Sequence, residues 1–373
     1  MAPAPALTPA PPRGLTLLDH QQTPKRPEPG VPGAFTTGSV AKMTVSDLNP
    51  GFIDGSDALV ADTGSSGLQT CLQKLITTQF QNYLSDRSNT AASRGDRLRV
   101  ALVDLSGDKI ARPDFAGWGS TVAMYGASSP KILAVYAVHQ LRADLRQLAS
   151  TQSISSGAAL EKAALRAWKL TGPLPNLAWL FDIRKWSGAP GTLDFTPAAR
   201  TALGGIMHNW DAASLIVGAG FPYVASVTWQ SGLFHPSRGG LWLTTSYGRG
   251  EWDGNPVRGV YSANITALSA ATYFTLLAQG RLVDDAASAE MATFLRRGCI
   301  TGSFPKGLGV VASKCGIWSD FLHDCALVRR GALRYVVVGL TRTRSNEYGQ
   351  YRKLFQELDH LIVRNNETPR PSC

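Results

Sequence analysis

The sequence predicts an α+β fold, an antiparallel sheet flanked by helices together with an all-helical subdomain. Three observations predict it. A buried-strand pattern at Leu98–Leu105 is answered near the end of the chain by three more, at Gly309–Ser313, Phe321–Arg329 and Leu333–Leu340. The stretch between, about 156–300, reads as one helical segment after another, separated by Gly and Pro. A helical pattern precedes the first strand and another closes the chain, so the strands on either side of the helical block pair in one sheet and bring the chain ends together. The expected division is a flexible Pro/Ala-rich leader over 1–50, an α/β subdomain from 51–125 and 301–373, and a helical subdomain over 126–300.

Each element follows from local pattern. Residues 1–50 hold Pro, Thr, Ala and Gly without sustained periodicity, the composition of a tether. Apolar residues then recur at helical spacing at Leu68, Leu72, Leu75, Ile76, Phe80, Tyr83 and Leu84. After the strand at 98–105, Ser106-Gly107-Asp108 is a turn, and a second strand is expected near Lys109–Arg112. A helix from Ser128 to about Leu148 follows. Further helices are expected at Ala158–Leu170, Pro197–His208, Asp211–Val217, Ala267–Gln279 and Ala286–Arg297, and a closing one at Glu347–Val363.

Bulk properties bound the function. The 373 residues are 44% hydrophobic and 17% charged, enough for a large core. The formal charge of +10 comes from scattered residues with no dense basic block, so nucleic acid is not an expected partner. The longest apolar run, Leu215–Val227, is broken by Gly218, Gly220 and Pro222 and is too short to span a bilayer. Residues Met1–Arg13 lack an apolar signal core, which leaves a cytoplasmic protein or one whose export signal was removed. Five widely spaced cysteines allow one or two disulfides without requiring them, and no C-x-x-C is present. His208, His235 and His323 have no ligand spacing, so neither a metal nor any other cofactor is expected.

Two motifs carry chemistry. Ser128 and Lys131 stand three apart at the start of a helix and share a face, so the amine can act as base for the hydroxyl once burial lowers its pKa. Lys314-Cys315-Gly316 lies at a strand; the lysine can hold an anionic group, and the glycine lets backbone approach a ligand closely. A third signal, Asp62-Thr63-Gly64-Ser65-Ser66, matches aspartic proteases, but that chemistry needs two carboxylates and the chain has no second such triplet. It reads instead as a turn before a helix.

Taken together, Tyr125-Gly126-Ala127-Ser128-Ser129-Pro130-Lys131, Lys314-Cys315-Gly316 and the helix at 267–277 with Gln279-Gly280-Arg281-Leu282 resemble the serine β-lactamase and penicillin-binding-protein superfamily, in particular its class A-like branch. The resemblance covers about residues 67–364. It implies a β-lactamase/transpeptidase-like fold, a Ser128 nucleophile with Lys131 as base, an acyl-enzyme, and an oxyanion hole formed by the Ser128 and Ile317 N–H groups. Lys314 would bind an anionic substrate group or tune the proton relay, with Cys315 and Gly316 beside the substrate. The substrate would be a small or peptide-like carbonyl compound, and relatives usually work outside the cytoplasm.

The chain departs from the family pattern at three places. Where Ser-x-Asn belongs, Met207-His208-Asn209-Trp210 puts His208 in the serine's position as a candidate acid/base, and Asn209 can supply the asparagine after a shift of one. A literal Ser262-Ala263-Asn264 precedes a different helix. Cys315 replaces the usual hydroxyl, and Glu251, in Glu251-Trp252-Asp253-Gly254-Asn255, is the candidate for activating the deacylating water. These changes favour a serine hydrolase or acyltransferase acting on an amide, lactam or ester over an efficient β-lactamase. The alternative is a binding protein that kept the fold without catalysis. The oligomeric state stays open.

Overall fold

The computed structural model describes residues 65–81, 97–111, 113–168, 175–231, 233–235, 239–243, 263–296, 308–343, 347–367 and 373. The first helix, α1 (Ser65–Gln79), leads to strands β1 (Leu98–Asp104), β2 (Asp114–Trp118) and the short β3 (Met124–Tyr125). Helices α2 (Ile132–Thr151), α3 (Gly157–Trp168), α4 (Leu177–Leu180), α5 (Pro197–Gly204), α6 (Asn209–Ala219) and α7 (Phe221–Gln230) follow. Short strands β4 (Phe234–His235), β5 (Gly239–Gly240) and β6 (Asn264–Ile265) come next, then α8 (Ala267–Ala278) and α9 (Asp285–Phe294). Strands β7 (Gly309–Trp318), β8 (Phe321–Arg330) and β9 (Leu333–Arg342) and helix α10 (Tyr348–Asn365) complete the order.

The architecture is α+β. Five strands form one sheet in the order β2-β1-β9-β8-β7, with every neighbouring pair antiparallel. All seven residues of β1 are buried because both sheet faces are covered, which is why its centre, Val100–Val103, reads as a continuous apolar run. Val100 and Leu102 point to the face covered by α1 and α10, where Leu72, Ile76, Leu354, Phe355, Leu358 and Ile362 pack. Ala101 and Val103 point to the other face, toward α2 and α8. Helix α8 has all twelve residues buried, as expected of a helix apolar on every side. Its start is fixed by a reciprocal capping box between Thr266 and Ser269.

One local expectation is corrected. The strand expected near Lys109–Arg112 is a 3-10 turn at Gly107–Ile110, and the second strand begins only at Asp114, beyond Pro113. The apolar run 215–227 is the junction of α6 and α7. Gly220, at φ 75°, adopts a left-handed conformation that a side chain disfavours, and Pro222 sits in the first turn of α7, where its missing N–H leaves no helix bond unmade.

Cys71 on α1 is disulfide-bonded to Cys373, tying the first described helix to the end of the chain, and Lys74 donates to the Cys373 carbonyl. Cys315 is disulfide-bonded as well, and Cys325 is a buried free thiol. Among the described residues no helix is long and apolar enough to cross a membrane, and no group of three or more His, Cys, Asp or Glu could hold a metal ion.

Candidate active site

The turn that bears Ser128 is pinned before it begins. β3 pairs with β6 through Met124 with Ile265 and Tyr125 with Asn264, and the Gly126 N–H donates to the Ala263 carbonyl at 2.7 Å. The chain then reverses at Ala127, whose φ of 46° is unusual for a residue with a side chain. Such strain costs on the order of 1 kcal/mol or more and persists where the surroundings enforce it. Ser128 caps a 3-10 turn over Ser129–Lys131, and α2 begins only at Ile132. The α-helical start expected at Ser128 is therefore one tighter turn. A 3-10 turn has three residues per revolution, so positions i and i+3 still fall in one column.

Lys131 has no exposed surface. Its Nζ donates to the Met207 carbonyl at 3.0 Å and to Asn209 Oδ1 at 2.7 Å. Burial pushes its pKa down to about 8, with the negative charge of Asp211 acting the other way. Both acceptors come from the start of α6. His208 is the N-cap of that helix, yet its side chain makes no capping bond and the residue is exposed. The structure thus brings Asn209 to the lysine, flanked by Met207, and leaves His208 facing solvent. Met207, two residues before Asn209, offers the lysine its backbone carbonyl and has no side-chain hydroxyl.

Strand β7 forms the other side. It is an edge strand, and Gly316 packs directly on the Ser128 turn. A Cβ added at Gly316 would lie 2.6 Å from the Gly126 carbonyl and 2.6 Å from Ser129 Oγ, so only glycine allows this approach. Backbone direction along the edge follows from two contacts. The Ser313 N–H donates outward to the Leu295 carbonyl, and the Cys315 carbonyl accepts from Lys314 Nζ at 2.7 Å rather than from β8. With a period of two, the Ile317 N–H points off the same edge.

Lys314 is fully buried. Burial, with the charge of Lys131 as second cause, brings its pKa down to about 7, against the opposing influence of Cys325 and Asp324. The next residue, Cys315, is buried and oxidised, so it presents no thiol. Glu251 lies outside the described residues. Asn264, the end of the literal Ser-Ala-Asn, spends its side-chain oxygen on the Gly240 N–H and its backbone on Trp242.

One positioning residue escaped the sequence reading. His323, on β8 opposite Gly316, is fully buried. Its Nδ1 accepts from the Thr341 N–H at 3.2 Å, so its Nε2 is the protonated nitrogen and donates to the Tyr125 carbonyl at 2.7 Å. Burial holds its pKa at about 4 despite the carbonyl partner. A neutral ring of fixed tautomer thus ties the sheet to the strand that leads into Ser128. No signal at 323 alone predicts this, since the contact spans 198 positions.

The model of the β-lactamase enzyme family matches residues 249–365, which include β7, β8, β9 and α10 but not Ser128 or Lys131. Solved structures similar to the chain include PBP-A, at 15% identity over 80% of this chain and 94% of that one, with a TM-score of 0.44. A class A β-lactamase from Mycobacterium abscessus is 15% identical over 80% and 98%, with a TM-score of 0.45. A β-lactamase from Burkholderia phymatum is 14% identical over 82% and 100%, with a TM-score of 0.46. No curated protein sequence matches the chain.

Proposed function

We propose that this chain, whose residues 249–365 match the model of the β-lactamase enzyme family, is a serine hydrolase or acyltransferase that works through an acyl-enzyme on Ser128. The observation that carries the reading is the state of Lys131. It is buried, sits one 3-10 turn from Ser128, and has acceptors for two N–H groups in Met207 and Asn209. A neutral amine has two N–H groups and one lone pair. With the N–H groups directed to those oxygens, the lone pair can take the Ser128 proton.

Ser128 Oγ then forms a bond to the substrate carbonyl carbon and passes its proton to Lys131. The Ser128 and Ile317 N–H groups stabilise the oxyanion. The C–O or C–N bond to the leaving group breaks, and the leaving group takes the proton back from Lys131, with Lys314 beside it in the same proton pool. Water or a second nucleophile attacks the acyl-enzyme and restores Ser128. With Lys131 at about 8, the acylation rate rises with pH up to about 8 and then levels.

A second reading, a binding protein without turnover, draws on Met207 and the oxidised Cys315, which remove both hydroxyl partners of the family pattern. Intact-mass measurement after a fluorophosphonate and, separately, a fluorescent penicillin decides between them. The hydrolase reading expects a stoichiometric adduct on Ser128 with the fluorophosphonate, lost in Ser128→Ala. No adduct with either probe overturns it. The disulfides at Cys71–Cys373 and Cys315 support an oxidising compartment as the site of action.

A further inference from the structure

A charged cavity lies roughly four turns along α2 from Lys131, away from every group assigned to acylation. It holds about 390 Å³, the size of a small-molecule site, between α2, the residues before α5 and the start of α9. Most of the charge on its wall is already matched. Arg142 and Arg200 each pair with both Asp194 and Glu290. His139 donates from Nδ1 to the Val135 carbonyl, and burial lowers its pKa and keeps it neutral. Two charges on the wall remain, Arg146 and Asp284. Among the described residues neither is in an ion pair, with the other or with any third group.

Both are held by bonds that leave their outer atoms unused. Arg146 donates from Nε and Nη2 to the Leu193 carbonyl, at 3.0 and 2.7 Å, and its Nη1 makes no bond among the described residues. Asp284 is the N-cap of α9. Its Oδ1 accepts from the Ala287 N–H at 2.7 Å, and its Oδ2 is likewise without a partner. Burial, then the charge of Arg142, lowers the Arg146 pKa, while Asp194, Asp284 and Glu290 act in the opposite sense. Asp284 is therefore near enough to be felt by Arg146 but does not meet it.

A guanidinium and a carboxylate that line one cavity without pairing form two complementary half-sites. The guanidinium suits a carboxylate, and the carboxylate suits an ammonium. The bonds behind them fix both groups before a ligand arrives, which lowers the cost of ordering on binding. Ala143 and Ala286 add small apolar surface. Any further charge on the ligand would meet only the ring of Arg142, Asp194, Arg200 and Glu290, whose members already have partners.

We propose that this cavity binds a free, neutral α-amino acid, with its carboxylate on Arg146 and its ammonium on Asp284. The site is distinct from Ser128, and its occupancy does not depend on the serine mechanism.

Titration of the full, oxidised chain into glycine, alanine, leucine and phenylalanine, each alone at neutral pH and low salt and followed by the ligand NMR signals, tests this. At least one should bind with a Kd of about 1 mM or tighter. The amide of that amino acid lacks the carboxylate and its N-acetyl derivative lacks the ammonium, so each should bind about tenfold more weakly. Arg146→Gln should weaken the amino acid about tenfold and leave the amide unchanged. Asp284→Asn should weaken it about tenfold and leave the N-acetyl derivative unchanged. Asparagine caps a helix as well as aspartate does, so α9 keeps its start in this variant. A merely structural role would not give this exchange, in which each variant spares the ligand that already lacks the matching charge. Ser128→Ala should bind as the parent does. No binding by any of the four, equal affinity for an amino acid and its two derivatives, an Asp284→Asn variant that leaves every affinity unchanged or lowers all alike, or loss of binding in Ser128→Ala would overturn the proposal.

Discussion

Helix α2 carries two charged regions built on opposite terms. At its start, Lys131 is buried against a backbone carbonyl and an amide oxygen, close enough to the equally buried Lys314 to depress its pKa. About three turns later, Arg142 and Arg200 alternate with Asp194 and Glu290 in a closed ring. Arg142 reaches Asp194 at 2.9 Å, Arg200 reaches Asp194 at 2.5 Å and Glu290 at 3.2 Å, and Arg142 also bonds Glu290. Burial alone would raise the Glu290 carboxyl, but its place beside His139 and its bond from Arg142 outweigh that and hold the group well below its usual range. The ring borders a cavity of about 390 Å³, yet every charge in it has a partner of opposite sign. Balanced charge of this kind fastens α2 to α9 and to the residues before α5. Unbalanced buried charge at Lys131 weakens the fold, and a group of that kind is a candidate for a chemical role.

The largest expected effect tests that distinction directly. Lys131→Met should lower the acylation rate of Ser128 by roughly 10³-fold, without loss of stability, because it removes a base and a desolvated cation together. Arg200→Ala, in the ring and 43% exposed, should leave the rate within about twofold and cost at most about 1 kcal/mol. Acylation kinetics and thermal unfolding on the two variants check it. If both lost the same fraction of activity, the two regions would not differ in kind.

Lys314→Met sharpens the comparison through pH. Folding brings this lysine from 10.5 to about 7. Between those values the unfolded chain holds a proton that the folded chain lacks, so its contribution to stability rises with pH across the window and is least favourable below about 7. The variant should therefore melt higher than the parent at pH 6.5, by on the order of a few kcal/mol, and the gain should fade by about pH 10. Glu290→Gln should do the reverse. It leaves buried Arg142 short of a charge and costs about 2 kcal/mol at neutral pH, less than a fully buried pair because Glu290 still reaches solvent. Since the Glu290 carboxyl is held low in the folded chain, its contribution is present above about 4.5 and is lost on acidification, so parent and variant should converge at acid pH. Unfolding curves at several pH values check both signs.

The sheet was legible in the sequence because its strands are buried on two faces and leave apolar runs at their centres, as at Val100–Val103 and Tyr335–Leu340. The spacing of Ser128 and Lys131 was legible because it is local, and it holds for a 3-10 turn as it would for a helix. What sequence misplaced depends on register or on distance. Asn209 was already a candidate, but its bond to Lys131 and the exposure of its neighbour His208 depend on where α6 begins. The bond from His323 to Tyr125 depends on a contact between segments far apart in the chain, which no local pattern encodes. Helix α7 was hidden by Gly220 and Pro222, two residues that read as breaks and in fact mark its start.

The smallest expected effect concerns the turn itself. If the Ser128 region trades stability for geometry, Ala127 should show it. At φ 46° its Cβ crowds the backbone, a cost that glycine avoids. Ala127→Gly gives the unfolded chain more freedom, which offsets part of that relief, so a net gain of at most about 1 kcal/mol is expected, or about 1–3 °C in Tm. The same change loosens the link between Gly126, which is tied to Ala263, and Ser128. The acylation rate should then fall a few-fold while stability rises slightly, a pairing of signs that a merely structural turn would not give. Parallel loss of both would mean that Ala127 is held there by favourable packing, and the contrast between the Ser128 turn and the charge ring would rest on the lysines alone.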